Sequence, residues 1–120
     1  MLKVQGNEVE IFFVNEYSKE GTGLHSYTEA KTNFQYLYSQ GESYNCHRIF
    51  PCFDQPDIKA TFELTVACPK SWKVIANCYE RHSTALGEDE VFQVYEKSDV
   101  FSTYLFAVCA GPYLEIEQEE

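Results

Sequence analysis

Side chains able to do chemistry crowd one stretch of this 120-residue sequence: Gln40 and Glu42, then Cys46, His47 and Arg48, then Cys52, Asp54, Asp57 and Lys59. Residues two apart in an extended segment project the same way, so Gln40 and Glu42 could face one ligand, an amide beside a carboxylate. Taken alone, Gln40-Gly41-Glu42 is equally a polar turn at a strand end. His25, His47 and His82 could be joined with Cys46 or Cys52 into a metal site, but their spacing matches no familiar structural zinc pattern. They read as exposed or core-satisfied residues. A Cys52 nucleophile with His47 as its base lacks an identifiable third residue to orient the imidazole. Arg48, Asp54, Asp57 and Lys59 surround Pro51 and Pro56, where carboxylates fold back onto nearby backbone amides and fix turns.

The elements that must position these groups are strands. Tyr and Phe each occur nine times, and the segments they populate alternate rather than repeat at helical spacing. The clearest case is 59–67, where Ala60, Phe62, Leu64 and Val66 take one parity and Lys59, Thr61, Glu63 and Thr65 the other. Further strands are expected over 8–14, 24–27, 34–40, 72–77 and 91–96, the last two joined by a polar loop through Arg81, His82, Ser83, Gly87, Glu88 and Asp89. A final strand should begin at Ser102 or Thr103. It runs through an almost wholly apolar stretch, 104–110, that suits a central position in a sheet. Between 42 and 57 the two prolines forbid regular pairing, so the reactive cluster sits on an irregular connection. The whole reads as one all-β, mainly antiparallel domain over 1–120.

Composition narrows the function classes. Nine basic against nineteen acidic residues give a formal charge of −10, which repels a phosphate backbone and excludes nucleic acid as a partner. The acids are spread out, ending in Glu115, Glu117, Glu119 and Glu120, and read as solvated faces. Five cysteines, an odd number without a C-x-x-C pair, fit free thiols in a reducing compartment and hence a cytoplasmic location. Neither a signal peptide nor an apolar run long enough to span a bilayer is visible in this sequence.

Gly21-Thr22-Gly23-Leu24-His25-Ser26-Tyr27, Tyr36-Leu37-Tyr38-Ser39-Gln40, the block Phe50-Pro51-Cys52-Phe53-Asp54-Gln55-Pro56-Asp57 running on to Phe62, Trp72-Lys73-Val74-Ile75-Ala76-Asn77, and 102–113 with its Ala110-Gly111-Pro112-Tyr113 ending occur in an order that resembles the aminopeptidase N family, the gluzincin zinc aminopeptidases. The resemblance implies part of a saddle-shaped amino-terminal β-sandwich that leans over a zinc-bearing catalytic domain. An aminopeptidase must recognise a free α-ammonium, which a carboxylate binds by charge-assisted hydrogen bonds. In the family, a glutamine and an acidic or amide residue two positions later, contributed by the amino-terminal domain, reach into the site and line the pocket for the first side chain; they match Gln40 and Glu42. Gly41 departs from the bulkier residue usual between them, and His47 replaces the arginine usual beside Arg48.

The family's H-E-x-x-H zinc motif and its G-A-M-E-N motif are absent from this sequence. The resemblance therefore implies no catalytic residue and no metal ligand in this chain, zinc held by the parent protein's own catalytic domain, and a peptide amino terminus as partner. The fragment alone should be inactive, with self-association through an uncovered strand edge. Two other readings stand beside this one: a domain of a family member that has lost its zinc ligands and serves as a scaffold, and a free-standing sandwich that binds, for instance, carbohydrate through Trp72 and the tyrosines.

Overall fold

The computed structural model describes residues 6–118; Glu119 and Glu120 of the acidic terminus lie outside them. Among the described residues seven strands follow in order: β1 (Gly23–Thr28), β2 (Gln35–Gln40), β3 (Thr65–Pro69), β4 (Lys73–Ala76), β5 (Glu80–Leu86), β6 (Glu90–Tyr95) and β7 (Val108–Gly111). They form two sheets with the orders β1-β2-β7-β4 and β3-β6-β5, antiparallel at every junction. This is the all-β sandwich that the alternation predicts. No helix among the described residues is long and apolar enough to cross a membrane.

Four expectations need correction. Residues 8–14 form no ladder: Phe12 and Val14 are 87% and 96% exposed, and pairing with β1 begins only at the Ser18–His25 bridge. Alternation marks a segment able to pair, but a ladder also needs a neighbour with a free edge. The strand proposed for 59–67 is extended with the expected parity, yet its regular ladder starts at Thr65. Before that point the Phe62 N–H donates to Ser98 Oγ at 2.8 Å, so a side chain stands where a backbone carbonyl would.

The polar "loop" at 80–86 is strand β5, paired from Leu86–Glu90 to Glu80–Tyr95 with an irregularity between Glu80 and His82. Every residue of β5 is exposed, so neither face imposes the two-residue periodicity by which strands are recognised. The last strand starts later than expected. Thr103–Leu105 is a single 3-10 turn, and β7 begins at Val108. The intervening backbone is held by Asn77, whose Nδ2 donates to Leu105 O at 2.9 Å and whose Oδ1 accepts from the Ala107 N–H at 2.7 Å. The central position expected for this segment holds, since β7 lies between β2 and β4. Gly111 permits that packing, because a Cβ there would lie 2.9 Å from Tyr36 Cδ1 and 3.1 Å from Gln35 O.

Aromatic rings and one hydrogen bond join the layers. Phe62 stacks on Phe101 with centroids 4.7 Å apart, and Phe106 meets Phe50 edge-on at 5.0 Å. A cleft of about 460 Å³ opens beside them, lined by Leu24, Leu37, Val66, Trp72 and Phe106 among others. Trp72, half-buried, lines this cleft. Tyr95 of β6 donates its hydroxyl to Val74 O of β4 at 3.1 Å. Burial, with Glu80 and Cys68 adding to it, pushes this phenol up to about 12, so it remains a donor at neutral pH. Tyr95→Phe is expected to cost about 1–2 kcal/mol in urea unfolding, because the Val74 carbonyl loses a partner; an unchanged midpoint would show that water replaces the bond.

Candidate functional site

The end of β2 and the connection after it place the reactive cluster. Gln40 is the last residue of β2, opposite Gly23 of β1. The strand stops there because Gly41 is buried against the 103–105 turn: a Cβ on Gly41 would sit 3.2 Å from Tyr104 O and 3.3 Å from Tyr104 Cα. Residues 42–45 then form a turn in which the Asn45 N–H donates to Gly41 O at 2.9 Å and Asn45 Nδ2 to Glu42 O at 3.0 Å. Glu42 therefore opens a turn rather than continuing the strand, and the same-side rule for alternate strand positions stops at Gln40. Both side chains are exposed, flanking a glycine whose main chain is fixed from behind.

Cys46–Arg48 follows as a 3-10 turn with Cys46 buried. Its anchor is Asp54, whose side chain is only 3% exposed. Asp54 Oδ2 accepts from the His47 N–H at 2.9 Å and meets His47 Nδ1 at 2.8 Å; Oδ1 accepts from Thr103 Oγ1 at 2.6 Å. A carboxylate in turn-rich sequence is expected to bind a local amide, and Asp54 does so seven residues back. Its bond to Thr103, 49 residues ahead, leaves no mark on local pattern. Arg48 takes no part: Nη1 lies 3.3 Å from Thr22 Oγ1 and 3.8 Å from Glu20 Oε2. The charged cluster suggested by Arg48, Asp54, Asp57 and Lys59 is thus divided, with Arg48 facing β1's approach and Asp54 facing inward.

Burial alone would raise the Asp54 pKa, but the hydrogen bonds from Thr103 and His47, with the charge of His47, outweigh it and hold the carboxyl below its ordinary value. A depressed folded-state pKa stabilises the fold above the unfolded value, roughly pH 4, and that contribution is lost as pH falls through the lower folded value. Urea midpoints should accordingly fall more steeply from pH 5 to pH 2.5 for the native protein than for Asp54→Asn; equal slopes would show that the carboxylate contributes nothing to acid stability.

The structure also supplies what the Cys52–His47 reading lacked, since Asp54 orients the imidazole. The thiol is nonetheless unsuited to attack. Burial raises the Cys52 pKa, and the nearby Asp54 adds to the rise against a partly offsetting hydrogen bond from Cys46. It stays protonated near neutrality, and the thiolate is the nucleophile.

Ligand atoms of Cys46, Cys52 and Asp54 lie within 4.8 Å of one another. Both Asp54 oxygens are already engaged, and burial, together with Cys52 and Asp54, pushes the Cys46 thiol up to about 12. A cation would have to break the bonds that hold two turns, so this donor set reads as a structural knot. Nor do the three histidines, all among the described residues, gather into a donor set. His25 Nδ1 accepts from the Gly21 N–H at 2.9 Å, His47 is bound to Asp54, and His82 stands on β5 in the other sheet. The five cysteines, all among the described residues, are free thiols.

Comparison with known proteins fits this arrangement to a family. The family model for the Peptidase M1 N-terminal domain matches residues 2–105. An aminopeptidase N of Streptomyces lividans is 38% identical over 97 residues, covering 81% of this chain and 11% of that protein. An aminopeptidase N of Oryctolagus cuniculus is 31% identical over 116 residues, 93% of this chain and 12% of that protein. A probable M1 family aminopeptidase 1 of Encephalitozoon cuniculi is 33% identical over 108 residues, 88% and 12% of the two chains. The chain spans about a tenth of the length of these curated relatives. With the match running from the first residues through the Thr103 turn, this chain belongs to the Peptidase M1 N-terminal domain family.

Proposed function

We propose that this chain is a substrate-recognition and structural part of a zinc-dependent aminopeptidase that removes amino-terminal residues from peptides, with Gln40 and Glu42 forming one wall of the pocket for the peptide's free amino terminus. The observation that carries this reading is the corner itself: in a chain of the M1 family, two exposed polar side chains flank a buried glycine seated on the main chain of Tyr104. The Glu42 carboxylate accepts from an α-ammonium, and the Gln40 amide offers both a donor and an acceptor to the first peptide unit.

Zinc and the hydrolytic groups belong, in this reading, to the protein's own catalytic domain, outside these residues. When bound there, the metal activates water and polarises the scissile carbonyl. In this reading the chain by itself is not catalytic. Self-association of the chain alone would use an uncovered edge among the outer strands β1, β4, β3 and β5. A cytoplasmic location is part of the proposal, supported by the five free thiols.

The test is made in the whole protein: Gln40→Ala and Glu42→Ala assayed on an amino-acid anilide, with bound zinc measured in parallel. Reduced kcat/KM with normal zinc supports the reading. Native kinetics in both variants would remove the corner from the substrate site.

A further inference from the structure

We infer that Asp54 and Thr103 are positioning residues for the Gln40–Glu42 corner, acting through a closed ring of contacts; as a statement about catalysis, this rests on the function proposed above. The ring can be followed residue by residue. Asp54 Oδ2 holds the His47 N–H at 2.9 Å and so fixes the 46–48 turn. Immediately before it, Asn45 closes the 42–45 turn onto Gly41 O at 2.9 Å. The Gly41 backbone lies against Tyr104, so closely that a Cβ on Gly41 would lie 3.2 Å from that residue's carbonyl oxygen. Thr103, buried beside Tyr104, returns to Asp54 Oδ1 at 2.6 Å.

A second bond secures the same side, Ser102 Oγ donating to Pro56 O at 2.5 Å. Gln40 and Glu42 are the two residues flanking the glycine in this ring. Neither has an extended ladder beyond it, since β2 ends at Gln40. Gln40 is held by β2 opposite Gly23, whereas the direction of Glu42 is set by the turn, and the turn is set from behind by one buried carboxylate bridging segments 49 positions apart. The glycine follows from the same geometry: the two backbones approach so closely that a side chain there would have to push the Tyr104 turn away. A shift of about 1 Å at a positioning group costs on the order of a hundredfold in rate when geometry limits turnover, so a loosened ring is expected to be visible in kinetics.

Removing Asp54 risks unfolding, so the test uses Thr103→Val in the full-length protein. This variant deletes the hydroxyl while keeping the volume. Three readouts separate the outcomes: kcat/KM on an amino-acid anilide well below the unfolding temperature, amide hydrogen exchange over 41–48, and the double variant with Glu42→Ala. The expected result is a roughly tenfold loss in kcat/KM, faster exchange across 41–48 but not across β3 and β6, restoration by Thr103→Ser, and no added loss in the Glu42→Ala background. Tyr95→Phe, of comparable stability cost and remote from the corner, should keep native kinetics. Native exchange over 41–48 in Thr103→Val overturns the ring. Faster exchange with native kinetics, or losses that multiply in the double variant, overturns positioning through Glu42. Faster exchange together with an inert Glu42→Ala leaves the ring standing and overturns the proposed substrate site.

Discussion

Phe106→Ala is expected to destabilise the fold by about 3 kcal/mol, the lower end of the range for deleting a buried aromatic ring, read as a fall in the urea midpoint with little change in slope. Phe106 is buried, with its ring centroid 5.0 Å from Phe50 and 5.7 Å from Phe62. It joins the 103–105 turn to β7, so it packs the layers together where the chain passes from the turn into the sheet. The magnitude is decided by its surroundings. Phe106 already borders the 460 Å³ cleft, so its removal enlarges an existing opening and forfeits fewer contacts than an enclosed ring would. The effect should still exceed that of Tyr95→Phe, because a ring's transfer energy and contacts outweigh one neutral hydrogen bond. A loss below 1 kcal/mol would show that the four-phenylalanine cluster is not part of the cooperative unit.

Glu42→Ala, in the whole protein, is expected to reduce kcat/KM on an amino-acid anilide by about ten- to a hundredfold, the kinetic equivalent of losing a charged hydrogen bond of about 1.5–3 kcal/mol. On the surface described here Glu42 is exposed, and an ion pair in open water contributes only about 0–1 kcal/mol. The larger figure requires that another part of the protein cover the corner when peptide is bound. The size of the loss is thus itself informative. A twofold effect would mean a solvated contact, whereas a fiftyfold effect would mean a dry one. Glu42→Gln keeps the shape but removes the charge, and should lose nearly as much if the ammonium is the partner. Bound zinc should stay near native in both variants, because no side chain of this corner reaches the metal in the proposed arrangement.

How far the sequence disclosed the structure depends on what each segment packs against. The parity of 59–67 was legible because Phe62, Leu64 and Val66 turn one face inward while Thr61, Glu63 and Thr65 stay wet. Strand β5 was not, since hydrogen bonding to β6 makes it a strand and no burial records the fact in its side chains. Residues 8–14 carry alternation without a partner. The turn at Thr103 was hidden because its cause, Asp54, is remote in sequence. Gln40 and Glu42 were singled out through resemblance rather than pattern. The strand argument for their shared direction fails at Gly41, where contact with Tyr104 replaces the strand by a turn. The meeting of Cys46 with Cys52 and Asp54 also follows from turn geometry that spacing does not encode.

The outermost strand of the smaller sheet, β5, asks little of its own side chains. Wet on both sides and hydrogen-bonded along a single border, it should tolerate substitution from Glu80 to Leu86 with little consequence for the rest of the molecule. Evolution must chiefly keep two things out of it: proline at positions that donate to β6, and an unbroken greasy run that would recruit a stranger's backbone.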